Sequence, residues 1–124
     1  MTSWTRDELD AIGAADVIDI AARRPDGTLR PYTTIWVVRV GDELYVRSYR
    51  GRDGAWYQAV QRRPVGRIRA GGTERDASFE RVTDIDEGAV DAAYRAKYGR
   101  YGGPYVEPMV ASAARATTLR INAA

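Results

Sequence analysis

The sequence has 124 residues, 44% of them hydrophobic, with no Cys, no His and a net charge of +2 from 19 basic and 17 acidic side chains. A chain of this size buries most of its apolar surface without disulfide or metal staples, so a single domain spanning 1–124 is expected. The missing Cys and His exclude disulfide scaffolds, thiolate nucleophiles, Ser-His-Asp hydrolysis and ordinary zinc chemistry, and no metal site is expected.

Among the basic residues only Lys97 is a lysine. Arginine suits phosphorylated or planar ligands, because its fork donates two parallel hydrogen bonds and its charge does not titrate. A GC-rich genome choosing Arg codons produces the same skew. Acids are mixed evenly among the bases, with no basic stripe, so nucleic acid is not an expected partner. The stretch Met1-Thr2-Ser3-Trp4-Thr5-Arg6-Asp7 has neither the basic region nor the apolar core of a signal peptide. No apolar run is long enough to span a bilayer. The expectation is a soluble, cytoplasmic protein.

Taken in chain order, Thr5-Arg6-Asp7-Glu8 has capping-box spacing, followed by Leu9 and Ile12 on one helical face and by Gly13 placed to close a short helix. Residues 16–22 are rich in Val and Ile and predict strand one, and Pro25-Asp26-Gly27 turns the chain toward the next strand. Residues 33–40 are the clearest strand, with β-branched residues and Trp36 in nearly every position, as burial on both faces would require. Gly41-Asp42-Glu43 turns it into residues 44–49, where Leu44, Val46 and Ser48 share one face and Tyr45, Arg47 and Tyr49 the other. A short helix is assigned to 52–62, ended by Pro64. Residues 65–70 and 73–82 flank Gly71-Gly72 and predict a hairpin. Asp84-Ile85-Asp86-Glu87 opens the main helix, whose stripe of Ile85, Ala89, Ala93, Tyr94, Lys97 and Tyr98 stops at Gly99. Residues 101–108 read as a structured loop, and 114–121 as a last strand. The sum is an α+β fold of about six strands, mostly antiparallel, in a closed or half-closed barrel with two to three helices.

No standard phosphate loop is present. The segment that leaves the strand over 44–49 is instead Arg47-Ser48-Tyr49-Arg50-Gly51-Arg52-Asp53-Gly54-Ala55-Trp56-Tyr57. Guanidinium forks, a hydroxyl and the free N–H groups of a helix start suit a phosphate, and Trp56 and Tyr57 could wall a planar ring. The same spacing equally describes a strand-to-helix connection with solvated arginines, Asp53 as N-cap and Trp56 in the core. Asp84, Asp86 and Glu87 are read as helix capping rather than a metal or acid-base cluster, since a helix N-terminus favours carboxylates. A Tyr stripe at helical spacing reads as core or interface. No side chain is singled out as catalytic.

The hairpin from Thr33 to Tyr49, the adjoining Arg50-Gly51-Arg52-Asp53-Gly54-Ala55-Trp56-Tyr57, and Arg63-Pro64-Val65 resemble the central block of FMN-binding split-barrel proteins, the pyridoxamine-phosphate oxidase-like superfamily. The Gly-x-x-Gly-x-Trp-Tyr element is similar to that of the deazaflavin-dependent nitroreductase branch. With Tyr94-x-x-Lys97-Tyr98 and the last strand, the chain resembles a bacterial family of small, uncharacterised split-barrel domains. The resemblance implies a six-stranded split β-barrel and an oxidoreductase that binds FMN, or alternatively a deazaflavin, and acts on a small organic substrate. By position it implies that Thr33, Thr34 and Trp36 face the flavin ring, and that Arg47, Ser48, Arg50, Gly51 and Arg52 hold the phosphate beside Trp56. It also implies a homodimer, for which Tyr101, Tyr105, Val106, Met109 and Val110 form a candidate contact; a loop packed on its own barrel is the other reading. Oxidase-type members carry adjacent basic residues in this turn, whereas Asp53 follows Arg52 here. An acid beside a phosphate is repulsive. A cofactor-free binding protein that kept the barrel is therefore the alternative.

Overall fold

The apolar run at 33–40 does not form one strand. In the computed structural model, which describes residues 3–124 and so leaves Met1 and Thr2 of the N-terminal stretch outside, it divides into β2 (Thr33–Ile35) and β3 (Val38–Val40). The other strands are β1 (Ile18–Ala22), β4 (Glu43–Val46), β5 (Val65–Ala70), β6 (Thr73–Arg81) and β7 (Leu119–Ala123). They make one sheet in the order β2-β1-β5-β6-β7-β4-β3, every neighbouring pair antiparallel. The two edges of that sheet, β2 and β3, are consecutive pieces of one segment. Three Cα steps of about 3.8 Å separate Ile35 from Val38, so the edges lie within about 11 Å of each other and the sheet curls into a barrel. Seven strands rather than six result, because the break turns one expected strand into two.

That break exposes the backbone of Val37 to the interior, where an unpaired amide is costly. Its N–H donates to the hydroxyl of Tyr98 at 3.1 Å, and its carbonyl accepts from the Lys97 ammonium at 2.7 Å. Tyr98 in turn directs its proton to the carbonyl of Asp16 at 2.7 Å, with that of Val37 at 3.0 Å. Two neighbouring residues of one helix thus stand in for the missing ladder.

Burial, aided by the charge of Arg100, lowers the Lys97 ammonium to about 8 from 10.5. Burial pushes the Tyr98 phenol up to about 12, and that of Tyr94 well above its ordinary 10.0. Between pH 8 and 10.5 the unfolded chain binds a proton at Lys97 that the folded chain does not, so stability rises with pH across that window and is lost as pH falls through it. The tyrosines act in the opposite sense from pH 10 upward, where the unfolded chain ionises first. The urea midpoint is expected to climb from pH 8 to 10 and then decline, and Lys97→Met is expected to abolish the climb. A climb retained in Lys97→Met would assign it to another group.

The helices cover the barrel. The capping box at α1 (Arg6–Ala14) forms as expected, Thr5 Oγ1 accepting from the Glu8 N–H at 3.1 Å and Glu8 accepting from the Thr5 N–H at 2.8 Å. The helix runs through Gly13 to Ala14 instead of closing there. Helix α2 (Ala55–Arg62) follows a 3-10 turn at Gly51–Asp53. Helix α3 (Glu87–Tyr98) is N-capped by Asp86, whose carboxylate accepts from the Ala89 N–H at 3.1 Å. Residues 101–108, expected as a loop, mostly belong to α4 (Gly103–Val110), and α5 (Ser112–Arg115) takes the start of the expected last strand. Pro104 sits in the first turn of α4, where the missing N–H has no helical role, so a Gly- and Pro-rich stretch still coils.

Two apolar clusters hold these layers. One fills the barrel with Ile18, Ile20, Leu44, Val46, Ile68 and Ile121, closed by Leu9 and Ile12 of α1 and Val60 of α2. The other lies outside it, where Val90, Tyr94 and Tyr98 of α3 pack with Val38, Tyr45, Val106 and Met109. In β4, Leu44 and Val46 join the first cluster and Tyr45 the second, as the period of two requires. No helix among the described residues is long and apolar enough to cross a membrane.

Candidate functional site

Strand β4 ends at Val46, and the next eight residues leave the sheet, turn and enter α2. Gly51 makes the turn with φ of 62°, a region that a side chain disfavours. Gly54, the residue before α2, lies so close to Ser48 that a Cβ there would meet Ser48 Oγ at 2.3 Å. A glycine offers no side chain to cap the helix, and among the described residues none caps α2, so the N–H groups of its first turn have no side-chain partner.

Between this turn and the broken strand is a cavity of about 450 Å³. Its walls are Thr33, Thr34, Ile35 and Trp36 on one side, Arg47 to Arg50 and Gly54 to Trp56 on the other, and Tyr105 and Met109 of α4. Trp36 is held flat against Tyr98, with ring centroids 4.0 Å apart and an angle of 2°. Trp56 meets Tyr57 edge-on, at 6.1 Å and 90°. Thr34 Oγ1 is anchored to the Asp19 carboxylate at 2.5 Å. The cavity is thus mainly apolar and aromatic, with the polar side chains of Thr33 and Thr34 on one wall and of Arg47, Ser48 and Arg50 on the other.

Two of those polar groups have no side-chain hydrogen-bond partner among the described residues. Ser48 is 1% exposed, and its Oγ makes no hydrogen bond among the described residues. Arg50 is exposed and joins no ion pair or side-chain hydrogen bond among them. With the free N–H groups at the start of α2, they present a donor set suited to an oxyanion.

Arg47 differs. It is 0% exposed, and each of its five N–H donors is taken. Nε donates to Thr118 Oγ1 at 2.9 Å; Nη1 to Asp91 at 2.5 Å and the Met109 carbonyl at 3.0 Å; Nη2 to the Glu87 carboxylate at 2.8 Å and its carbonyl at 3.4 Å. Expected to hold a phosphate, Arg47 instead ties the end of β4 to α3, α4 and the approach to the last strand.

Of the expected site residues, the fold brings Thr33, Thr34, Trp36, Arg47, Ser48, Arg50 and Trp56 to the cavity wall. Gly51 shapes the turn without lining the cavity, its backbone against Ala113. Arg52 faces away, into a shallower depression behind the turn, because the 3-10 turn rotates it past the wall. Asp53, the residue expected to oppose a phosphate, is exposed and likewise off the cavity wall.

Sequence reasoning missed Gly54 as the floor beneath Ser48, and Tyr105 and Met109 as part of the wall. The latter two are one helical turn apart on α4, a signal hidden by reading that stretch as a loop. Of the cluster expected at a dimer contact, Val106, Met109 and Val110 are buried in this chain's own core, and Tyr101 and Tyr105 are exposed. The first three pack inward because α4 lies on α3 across them.

The closed sheet, its broken strand and the turn beyond β4 define a split β-barrel. Solved structures with similar folds include an F420-H2-dependent reductase (TM-score 0.62, 16% identity, covering 86% of this chain and 93% of that one). A FAD-binding protein from Mesorhizobium loti matches with a TM-score of 0.57 and 15% identity, covering 99% of this chain and 92% of that one. A putative pyridoxamine 5'-phosphate oxidase from Listeria innocua matches with a TM-score of 0.55 and 13% identity, covering 94% and 88%. No curated protein matches the chain's sequence. Residues 8–121 match the model of DUF2255, described as an uncharacterised protein conserved in bacteria, and the chain belongs to that family.

Proposed function

We propose that the cavity holds a flavin-type cofactor, FMN or a deazaflavin, and that the protein is an oxidoreductase acting on a small organic substrate. The observation that carries this reading is Ser48 Oγ, buried without a partner at the end of an aromatic-walled cavity. A buried hydroxyl left unbonded is a cost the fold retains, and a ligand oxyanion relieves it. The fit is chemical as well: Arg50 and the uncapped α2 receive an anionic group, and Trp36 and Trp56 flank a planar one. Structural neighbours that depend on F420-H2 or bind FAD support the same class.

Such a cofactor supplies hydride transfer when bound. This chain's residues then bind and orient it: Ser48 and Arg50 at its charged end, the Trp36 ring fixed by its stack on Tyr98, and Thr34 held by Asp19. Tyr49 and Tyr105, each 62% exposed, stand at the cavity and are where a second copy would contact it in the proposed homodimer. The rival reading, a cofactor-free binding protein, draws on Arg47, whose donors are all occupied internally.

Absorbance of the purified protein, titrated with FMN and with reduced deazaflavin, separates the two. A colourless protein that shows saturable binding of neither would leave only the cofactor-free reading. Ser48→Ala is expected to act in opposite directions on two readouts. The ligand-free protein should be unchanged or more stable by about 1 kcal/mol, since an unsatisfied group is removed. Cofactor affinity should fall roughly tenfold, the worth of a hydrogen bond to a charged group. Unchanged affinity would remove Ser48 from the site.

A further inference from the structure

Behind the turn, on the side away from the cavity, lies a second depression of about 370 Å³ lined by Arg52, Tyr57, Gln58, Gln61, Arg62 and Arg81. Three elements converge there: the 3-10 turn brings Arg52, the outer face of α2 brings Gln58, Gln61 and Arg62, and the end of β6 brings Arg81. No carboxylate is among the lining residues. Arg6, Arg23, Arg39, Arg47, Arg67, Arg69, Arg75, Arg95, Arg100, Arg115 and Arg120 each face an acid, whereas Arg24, Arg30, Arg50 and Arg63, none of them lining the depression, form no ion pair among the described residues. Arg52, Arg62 and Arg81 face none and make no side-chain hydrogen bond among the described residues. Three of the seven arginines without an ion pair among the described residues thus line one depression.

Guanidinium groups gathered without a counter-charge repel one another, so the arrangement disfavours the ligand-free fold. We propose that this depression is a binding site, separate from the cavity, for an oligophosphate: a diphosphate or triphosphate, free or carried by a nucleoside. Three forks can each engage phosphate oxygens in pairs, and Gln61 adds a neutral donor beside them, while the Gln58 amide donates to the Arg52 carbonyl at 3.1 Å and ties α2 to the turn. A diphosphate or triphosphate concentrates several negative charges within one short chain, which matches three cations better than isolated carboxylates do. The proposal does not rest on the cofactor reading, since none of its lining residues borders the cavity.

The test is calorimetric titration of the full chain with inorganic tripolyphosphate at low salt. The expected result is saturable 1:1 binding, weakened at least tenfold in Arg62→Gln/Arg81→Gln. The pair Arg6→Gln/Arg95→Gln removes the same net charge elsewhere and is expected to leave the affinity within about threefold of wild type. Arg50→Gln, which alters the cavity instead, is expected to do the same. Titration with ATP distinguishes the sources: equal affinity marks the free phosphate chain as the whole determinant, and tighter binding shows that the nucleoside contributes. Non-saturable binding, equal losses in both double variants, or a tenfold loss in Arg50→Gln would overturn the proposal. Thermal unfolding without ligand guards against misfolding. At low salt Arg62→Gln/Arg81→Gln should melt at or above the wild-type temperature, because it relieves repulsion, and a lower melting temperature would contradict the like-charge argument.

Discussion

Arg47→Met is expected to lower the free energy of unfolding by about 3–5 kcal/mol, the range for breaking a buried ion pair by removing one partner. The side chain is replaced by one of similar reach with no donors, so volume is nearly conserved. What remains are the carboxylates of Glu87 and Asp91, 29% and 14% exposed, facing each other without the cation between them. The Met109 carbonyl also loses its donor. Chemical denaturation measures the loss, and Arg47→Met combined with Glu87→Gln and Asp91→Asn should recover most of it. A phosphate-gripping arginine would behave otherwise, with cofactor affinity falling and ligand-free stability unchanged. A stability loss below about 1 kcal/mol would show that the cluster contributes little.

Tyr98→Phe should produce the second largest loss, about 2–3 kcal/mol, from the deletion of one oxygen. Without that hydroxyl the Val37 N–H has no partner and the Asp16 carbonyl loses its donor. The buried Val37 N–H left unsatisfied costs about 1–3 kcal/mol. Loss of the bond to Asp16, an exposed residue whose carbonyl can turn to water, adds less, while Lys97 still serves the Val37 carbonyl. The ring itself remains, so Trp36 keeps its stack and the cavity its wall. Cofactor affinity is expected to change far less than stability, and amide exchange at Val37 should accelerate with the local loss. Slow exchange at Val37 in the variant would mean that the seam between the sheet edges is closed by something other than this hydroxyl.

Much of the architecture was legible because it is written in local chemistry. The reciprocal bonds of Thr5 and Glu8, the hairpin at Gly71-Gly72 and the alternation along β4 each depend on residues a few positions apart. The break at Trp36 and Val37 was not legible, because nothing there is a breaker; the strand divides so that one segment can pair with β1 on one edge and β4 on the other. Arg47 misled for a related reason. Beside Ser48 and a glycine turn it reads as a ligand group, and its acids lie 40 and 44 residues away on a helix. Arg52, two residues from the cavity-lining Arg50 in sequence, faces the other side because of a 3-10 turn that its composition does not announce.

The place of β7 in the sheet bears on how the chain is made. Residues 119–123 lie between β6 and β4, and Trp4 donates its indole N–H to the Ile121 carbonyl at 2.9 Å. A growing chain that has emerged only through α5 holds two incomplete sheets, β2-β1-β5-β6 and β4-β3, each with an open edge awaiting the same strand. Pairing of that strand joins them in a single step, so cooperative folding waits until residues 119–123 are available, and until then both open edges are templates for pairing with neighbouring chains.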